Sequence, residues 1–217
     1  MSKTILIVGA SRGIGLGLAR EFTSRGWTIV ATERSKSDEL HGVDGVEIAT
    51  LDVTDPSTFD SVDGSFDAVI INAGITGAKH QDSAQATRDE VADVMMTNAF
   101  GPAHLAKTLL PKIAEGGTLA FMSSLMGSID DSSGGYELYR TSKTALNMLA
   151  KGIAEQDAGP RNIEVLALHP GWVQTDMGGP NATLTIDESV SGLADVIEGA
   201  GGGGFRYVDY SGKELAF

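Results

Sequence analysis

The chain has 217 residues, enough for one domain with a sizeable core, and its 41% apolar and 21% charged content is typical of a soluble globular protein. A formal net charge of -13 argues against a nucleic-acid partner, which would need clustered Lys and Arg. The absence of Cys excludes disulfides, thiolate metal sites and a catalytic thiol, and it is compatible with a reducing cytoplasm.

The N-terminal stretch shows no targeting or membrane signal. The apolar run Thr4–Val8 is too short to cross a bilayer and ends at Gly9. No cleavage-site pattern follows it. We therefore expect neither a signal peptide nor a membrane anchor, and we predict a cytoplasmic location with no membrane partner.

Short β-branched runs alternate with longer segments of helical spacing. Seven runs are predicted as strands: Lys3–Val8, Trp27–Thr32, Val46–Asp52, Phe66–Ile71, Thr118–Ser123, Asn162–His169 and Phe205–Asp209. Helices or helical turns are predicted over Gly13–Arg25, Asp55–Val62, Thr87–Ala114, Tyr139–Asp157 and Ile186–Glu198, and the third is interrupted near Asn98 and Gly101-Pro102. Strands that are nearly unbroken in apolar character imply a parallel sheet covered on both faces. The predicted class is α/β, a single domain with a doubly wound, seven-stranded parallel sheet.

A glycine-rich turn follows the first strand and precedes the first helix. Its residues are Gly9, Ala10, Ser11, Arg12, Gly13, Ile14 and Gly15. Glycines allow close approach of the backbone, and a helix N-terminus offers unpaired N–H groups to an anion. This arrangement binds pyrophosphate, so we predict a Rossmann-like dinucleotide-binding domain that spans the chain.

The ends of the second and third strands carry conflicting signals about the dinucleotide. Glu33 lies 18 positions after Gly15, where an acidic side chain would meet the adenosine ribose hydroxyls of NAD. Arg34 and Arg12 are placed to pair with the 2′-phosphate of NADP. Two cations against one anion favour NADP, with NAD as the alternative. At the third strand, the Asp52-Val53 pair is a candidate for contact with adenine, although Asp52 is also a plausible turn cap ahead of Asp55.

Tyr139 and Lys143 stand four positions apart at the start of a predicted helix. They therefore project from one face, about one turn apart. A phenol with a pKa of about 10 is a poor acid or base at neutral pH, and a nearby cation lowers that pKa. The pair alone is compatible with two ordinary surface residues, but it is also the arrangement that would tune a tyrosine for proton transfer.

Four further features lie in register with this pair. They are Asn72-Ala73-Gly74 after the fourth strand, Asn98 within the long helical region, Ser123-Ser124 at the end of the fifth strand, and Pro170-Gly171-Trp172-Val173-Gln174-Thr175 after the sixth. Together with the glycine turn, they make the chain resemble a short-chain dehydrogenase/reductase of the classical single-domain type. The match runs from the first strand to Thr175. Within the family the chain looks similar to the C-factor-like oxidoreductases.

The resemblance implies a role for each matching residue. Tyr139 would be the catalytic acid or base, Lys143 would lower its pKa and hold the nicotinamide ribose, and Ser124 would orient the substrate carbonyl, with Ser123 and Ser128 as alternatives. Asn98 would kink its helix and carry a water toward Lys143. The remaining matches would line the cofactor groove or hold the nicotinamide carboxamide: Asn72, Ala73, Gly74, Gly171, Val173 and Thr175.

The expected activity is hydride transfer between NAD(P) and a small carbonyl compound or secondary alcohol. The alternative is a dinucleotide-binding signalling protein of the C-factor type with little turnover. The four His have no metal-ligand spacing, so no metal is expected. Apolar residues predicted to fringe the substrate pocket are Met126, Tyr136, Trp172 and Met177. The resemblance further implies a homodimer or homotetramer formed through the helices at 98–114 and from Tyr139 onward.

Overall fold

Seven parallel strands form a single sheet in this computed structural model, which describes residues 2–217. The strands are β1 (Thr4–Val8), β2 (Thr28–Glu33), β3 (Val46–Thr50), β4 (Phe66–Ile71), β5 (Ile113–Met122), β6 (Glu164–His169) and β7 (Gly204–Asp209). Their spatial order is β3-β2-β1-β4-β5-β6-β7, and each neighbouring pair is parallel. The predicted doubly wound, seven-stranded parallel sheet is confirmed.

Helices lie between the strands and cover both faces of the sheet. They are α1 (Gly13–Ser24), α2 (Asp38–His41), α3 (Arg88–Met95), α4 (Gly101–Leu109), α5 (Glu137–Ile153) and α6 (Ile186–Glu198). Short 3₁₀ turns occupy Pro56–Ser61, Leu110–Lys112, Leu125–Gly127 and Gly159–Arg161, and π turns occupy Met96–Phe100 and Ala154–Ala158. A helix between successive parallel strands is the connection that such a sheet requires.

Alternate residues of each strand point into two separate hydrophobic layers. Ile5 and Ile7 of β1 pack on one face with Phe22 of α1, whereas Leu6 packs on the other face with Leu146 of α5. All five side chains are at least 98% buried. Since full burial of such a side chain contributes about 1.5–3 kcal/mol, these two layers hold the carboxyl edge of the sheet rigid.

β5 is longer than predicted, because it begins at Ile113 rather than Thr118. Phe66 pairs with Ile113 but Ala68 pairs with Thr118, so β5 carries extra residues at this irregularity. Two of them, Gly116 and Gly117, give the sequence the appearance of a turn. Ala114, predicted as the end of a helix, lies in this strand.

The predicted interruption near Asn98 is a change of helical hydrogen bonding rather than a break. The chain runs from α3 through the π turn at Met96–Phe100 directly into α4. Pro102 lies in the first turn of α4, where a missing N–H is tolerated. A single π turn within a longer helix often marks a functional residue, and here the turn contains Asn98.

The run Gly201–Gly204, whose composition predicts a flexible connection, is tied to the sheet. The N–H groups of Gly201 and Gly202 donate to Glu164 Oε2 at 2.7 and 3.1 Å. β7 already begins at Gly204. The connection is therefore held by a buried carboxylate at the start of β6.

Candidate active site

Four of the segments predicted to bind cofactor or substrate follow the carboxyl ends of strands. The glycine turn follows β1, Asn72 follows β4, Ser124 follows β5 and Pro170 follows β6. Because the strands are parallel, these ends share one edge of the sheet. The order of the strands reverses between β1 and β4, and the crevice at such a reversal is where doubly wound sheets bind their ligands.

The glycine turn is packed too tightly for side chains. A Cβ on Gly15 would lie 2.1 Å from the Gly9 carbonyl oxygen and 2.7 Å from Asn72 Nδ2. Asn72 Nδ2 donates to that same carbonyl at 2.9 Å. Gly9 and Gly13 have positive φ angles of 84° and 55°, which disfavour residues with a Cβ. Asn72 therefore fixes the turn against β4, and the glycines leave its outer side open for a ligand.

The N-terminus of α1 is left without a side-chain cap. Its N-cap residue, Arg12, makes no capping hydrogen bond, and no acidic residue lies in the first turn. By contrast α3 and α6 each begin with a capping box, formed by Thr87 with Glu90 and by Thr185 with Glu188. The free N–H groups of α1 and its dipole suit an anion such as a pyrophosphate. The residues present therefore fit a dinucleotide.

The acidic residue expected at the ribose is already engaged by its own chain. Glu33 is 5% exposed, its Oε2 accepts from Ser37 N–H at 2.7 Å, and its Oε1 lies 2.9 Å from His41 Nε2. The Ser37 hydroxyl also donates to the Ser11 carbonyl at 2.6 Å, which ties this segment to the glycine turn. The Glu33 carboxylate is thus held by the segment that follows β2, and this weakens the sequence argument for NAD.

The two arginines expected at a 2′-phosphate are exposed. The Arg34 side chain is 70% exposed and its Nη1 lies 3.9 Å from Asp52 Oδ2. Asp52 is a turn cap, since its Oδ1 accepts from the N–H and hydroxyl of Thr54 at 2.8 and 2.7 Å. Burial alone would raise the pKa of the Asp52 carboxyl, but these hydrogen bonds and the charge of Arg34 outweigh it, so the pKa is lowered. The Val53 side chain is buried in the hydrophobic core.

Tyr139 and Lys143 lie on one face of α5, as their spacing predicts. Lys143 Nζ lies 5.6 Å from the centre of the Tyr139 ring and donates to the Met122 carbonyl at 2.8 Å. Lys143 is only 3% exposed. The Tyr139 backbone N–H donates to Gln81 Oε1 at 3.0 Å, so the start of α5 is held by a segment distant in sequence.

The pKa of Tyr139 departs from the expected direction. Burial raises the pKa of the phenol to about 12, and a side-chain hydrogen bond with Ser124 opposes this shift. Burial also lowers the pKa of the Lys143 ammonium to about 8. The net shift of the Tyr139 pKa is upward because removal from water disfavours the charged form, and the tuning of this pKa by Lys143 stays a prediction.

Asn98 connects the π turn to the segment after β4. Its Oδ1 accepts from Ile75 N–H at 2.8 Å, and its Nδ2 donates to the Ile75 carbonyl and to Ser142 Oγ at 2.7 and 2.9 Å. It is fully buried. A Cβ on Gly74 would lie 3.3 Å from Asn98 Oδ1 and 3.4 Å from Lys143 Nζ, so these two polar atoms flank Gly74.

Of the three candidate serines, geometry favours Ser124. The Ser123 hydroxyl donates to Asn147 Oδ1 at 2.6 Å in the interior, and Ser128 Oγ accepts from Asp131 N–H at 3.1 Å. Ser124 Oγ accepts one long bond of 3.2 Å, from the Met126 N–H, and its interaction with the Tyr139 phenol opposes the rise in the pKa of that phenol. Ser124 is therefore the serine best placed to act with Tyr139, and Ser123 and Ser128 support the structure around it.

Sequence reasoning missed Tyr207 as a support of this site. Its hydroxyl donates to the Ser124 carbonyl at 2.5 Å from β7, which lies 83 positions later in the chain. Burial raises the pKa of the Tyr207 phenol to about 12, so it stays a donor. No local pattern marks such a contact, because it depends on β7 lying beside β6.

The segment after β6 folds back toward the glycine turn. Gly171 has a φ of 83°, and a Cβ there would lie 2.3 Å from Leu184 Cδ1. Val173 is buried and forms an isolated parallel β-bridge with Leu184. Thr175 Oγ1 accepts a hydrogen bond from the Gly178 N–H at 3.1 Å. A Cβ on Gly13 would lie 3.5 Å from Thr175 Cγ2, so this segment meets the first turn of α1 across the groove.

Three of the residues predicted to fringe the pocket are about half exposed. The exposed fractions are 56% for Tyr136, 52% for Trp172 and 50% for Met177. They lie in the segments after β5 and β6, and Met126 lies in the 3₁₀ turn after β5. Among residues 2–217, no group of three or more His, Asp or Glu side chains could hold a metal ion. No helix in this range is both long and apolar enough to cross a membrane.

Comparison with known proteins gives consistent matches along the chain. A sequence profile of the family described as short chain dehydrogenase matches residues 3–183. C-signal of Myxococcus xanthus is 38% identical over 156 residues, which cover 70% of this chain and 93% of that protein.

Solved structures match over the entire length of both chains. A short-chain dehydrogenase/reductase from Burkholderia multivorans with bound NADP is 37% identical with a TM-score of 0.95, and both chains are covered in full. A carbonyl reductase from Pseudomonas aeruginosa PAO1 in complex with NADP is 36% identical with a TM-score of 0.91, again over 100% of each chain.

Proposed function

We propose, from the premise that this chain belongs to the short-chain dehydrogenase family, that it is an NADP-dependent reductase of small aldehydes or ketones. Family membership makes the chain an oxidoreductase. The observation that supports our proposal best is the buried Lys143 ammonium 5.6 Å from the Tyr139 ring, with Ser124 interacting with the same phenol. These side chains lie at the sheet edge that also carries the uncapped end of α1.

The choice of NADP rests on the two exposed arginines and on the engagement of Glu33. Arg34 is exposed with its nearest carboxylate at 3.9 Å, and Arg12 is exposed although it pairs with Asp176. Glu33 already accepts two hydrogen bonds and cannot easily serve the ribose hydroxyls of NAD. Two solved relatives hold NADP. Asn72, Gly74, Val173 and Thr175 would line the rest of the groove.

The proposed mechanism assigns each polar side chain one task. A reduced nicotinamide, when bound, supplies the hydride to the carbonyl carbon. Tyr139 donates its proton to the carbonyl oxygen as negative charge develops there, and Ser124 donates a hydrogen bond to the same oxygen. Lys143 keeps a positive charge near this oxygen. Asn98, which flanks Gly74 together with Lys143, would hold a water that returns a proton to the tyrosine.

The high pKa of the Tyr139 phenol suits the proton-donating step of a reduction. With a pKa of about 12 the phenol carries its proton at neutral pH and is ready to donate it. Oxidation of an alcohol would need the phenolate, which burial disfavours. The half-exposed aromatic and methionine side chains after β5 and β6 favour an apolar or mixed substrate.

The experiment is a loss of NADPH absorbance in the presence of a panel of aldehydes, ketones and 3-oxo esters. We expect Tyr139→Phe to lower kcat by about 10²- to 10⁴-fold, the usual contribution of a positioned acid, while the Kd for NADP changes little. Tyr210→Phe is the matched control, because it removes a hydroxyl from a tyrosine outside the catalytic group. Equal turnover by Tyr139→Phe and wild type would refute the assignment.

A second candidate is a dinucleotide-binding signalling protein with little turnover. The observation that favours it is the 38% identity to C-signal. The presence of all four catalytic side chains weighs against it, since binding alone does not require them. Tight NADP binding with no turnover on any member of the carbonyl panel would support this candidate over the reductase.

We propose in addition that the chain forms a homodimer or homotetramer and resides in the cytoplasm. Phe100, between α3 and α4, is 50% exposed, and Met148 on α5 is 73% exposed. Large apolar side chains on neighbouring helices suit a two-fold contact. Light scattering during gel filtration measures the mass, and a mass of one chain would refute the contact. Cell fractionation tests the location.

A further inference from the structure

One ion pair spans the groove between the glycine turn and the segment after β6. Arg12 Nη1 lies 2.7 Å from Asp176 Oδ2, although the residues are 164 positions apart. Both side chains are largely exposed, at 76% and 79%. Beside the pair, Thr175 lies close to Gly13, since a Cβ on Gly13 would lie 3.5 Å from Thr175 Cγ2. The two segments that would hold opposite ends of a dinucleotide therefore meet through this pair.

The pair occupies one of the two arginines expected at a 2′-phosphate. Arg34, the second one, has only a carboxylate at 3.9 Å, so its charge is loosely matched. Arg12 instead faces a carboxylate at hydrogen-bond distance, on the segment that carries Thr175. For Arg12 to turn toward the ribose end of the groove, where Ser37 contacts the glycine turn, its bond to Asp176 must break.

We propose that Asp176 tunes the preference between NADP and NAD by competing with the 2′-phosphate for Arg12. The proposal rests on the proposed use of NADP. A phosphate carries more negative charge and more acceptor oxygens than a carboxylate, so it displaces Asp176 from the guanidinium. Because the ion pair must break when NADP binds, the free energy of the ion pair is subtracted from the free energy of NADP binding. NAD has no 2′-phosphate and leaves the pair intact, so its affinity does not depend on Asp176 in this way.

The size of the effect follows from the exposure of the pair. Exposed ion pairs are weak, so breaking this one should reduce the affinity for NADP by about two- to fivefold. Screening by salt should shrink the difference further. A purely structural role for Asp176 gives a different pattern. If Asp176 only anchored its segment over the groove, its loss would weaken NADP and NAD alike.

The test is a comparison of dissociation constants for NADP and NAD, measured by titration calorimetry on the full chain. For Asp176→Asn we expect NADP to bind about two- to fivefold more tightly, with NAD within about 1.5-fold of wild type. In an Arg12→Gln background the same substitution should leave the NADP affinity unchanged. Asp195→Asn is the matched control, since Asp195 also pairs with an arginine at 2.7 Å, at the far end of α1, and is 72% exposed.

Three outcomes would overturn the proposal. Unchanged or weaker NADP binding by Asp176→Asn would refute the competition, and so would a gain that persists without Arg12. A wild-type chain that does not bind NADP would refute the proposed function itself and the competition with it. A wild-type chain that binds NADP, and an Asp176→Asn variant with the same affinity, would refute the competition alone.

Discussion

Replacement of Lys143 by Met should stabilise the fold while it abolishes activity. Lys143 is 3% exposed, and within residues 2–217 its ammonium has no carboxylate within 4.0 Å, only the Met122 carbonyl at 2.8 Å. Burial lowers its pKa from 10.5 to about 8. A methionine of similar length keeps the packing and removes the charge.

The magnitude follows from the pKa shift. Lowering of the Lys143 pKa from 10.5 to about 8 corresponds to about 3 kcal/mol by which the buried ammonium destabilises the folded state at pH 7. Loss of the hydrogen bond to the Met122 carbonyl offsets about 1 kcal/mol of this. The net gain is about 2 kcal/mol, or about 4–8 °C in Tm for a chain of this size.

The sign of the pH dependence gives a second readout. Between pH 8 and 10.5 the unfolded lysine binds more protons than the folded one, so the stability of the wild-type protein gains a rising contribution across this window. The Met variant has no such contribution. Urea unfolding without cofactor at pH 7 and pH 10 measures both effects, and the gap between the proteins should narrow at pH 10.

The matched control is Lys151→Met on the same helix. Lys151 is half exposed and pairs with Glu155, so its replacement should change the unfolding free energy by no more than about 0.5 kcal/mol. A Lys143→Met variant that is less stable than wild type at pH 7, or as stable at both pH values, would refute the claim that burial of this charge is costly.

Two further predictions concern catalysis. Gly74→Ala places a Cβ 3.3 Å from Asn98 Oδ1 and 3.4 Å from Lys143 Nζ. We therefore expect kcat/KM for carbonyl reduction to fall by about tenfold, with little change in the urea midpoint of unfolding. Unchanged kinetics would show that these two side chains take no part in the reaction. In the free enzyme Lys143 loses its charge near pH 8 while Tyr139 keeps its proton to about pH 12, so kcat/KM for reduction should be constant from about pH 6 to 7 and fall above pH 8. A profile measured at constant ionic strength that rises above pH 8 would contradict this assignment.

The glycine turn and the Tyr139–Lys143 face could be predicted from the sequence because their geometry is local. The spacing of Gly9, Gly13 and Gly15 after an apolar run requires only a strand that enters a helix. Helical periodicity alone places Tyr139 and Lys143 on one face. In both cases a few neighbouring residues determine the geometry, and tertiary packing only has to leave it unchanged.

The ionisation of that same pair could not be predicted from spacing. The pKa of Lys143 depends on its removal from water beneath the end of β5, and the pKa of Tyr139 on burial against Ser124. A four-residue spacing gives the distance between two groups but says nothing of the solvent around them. The sequence left Ser123 and Ser128 open beside Ser124 for a related reason, because the partner of the Ser123 hydroxyl lies on α5, distant in sequence.

The distribution of acidic residues among the helix N-termini shows how an acidic chain can bind an anionic cofactor. The first turns of α2, α3 and α6 each contain two acids and have a side-chain cap, and these features stabilise each helix by about 1 kcal/mol or more. α1 has neither. At physiological salt charges are screened beyond about 8 Å, so the net charge of -13 matters less at the groove than the groups that line it. The missing cap on α1 therefore lowers the stability of this helix. Under the proposed function, a bound pyrophosphate would accept the hydrogen bonds from the first N–H groups of α1 that no side chain accepts.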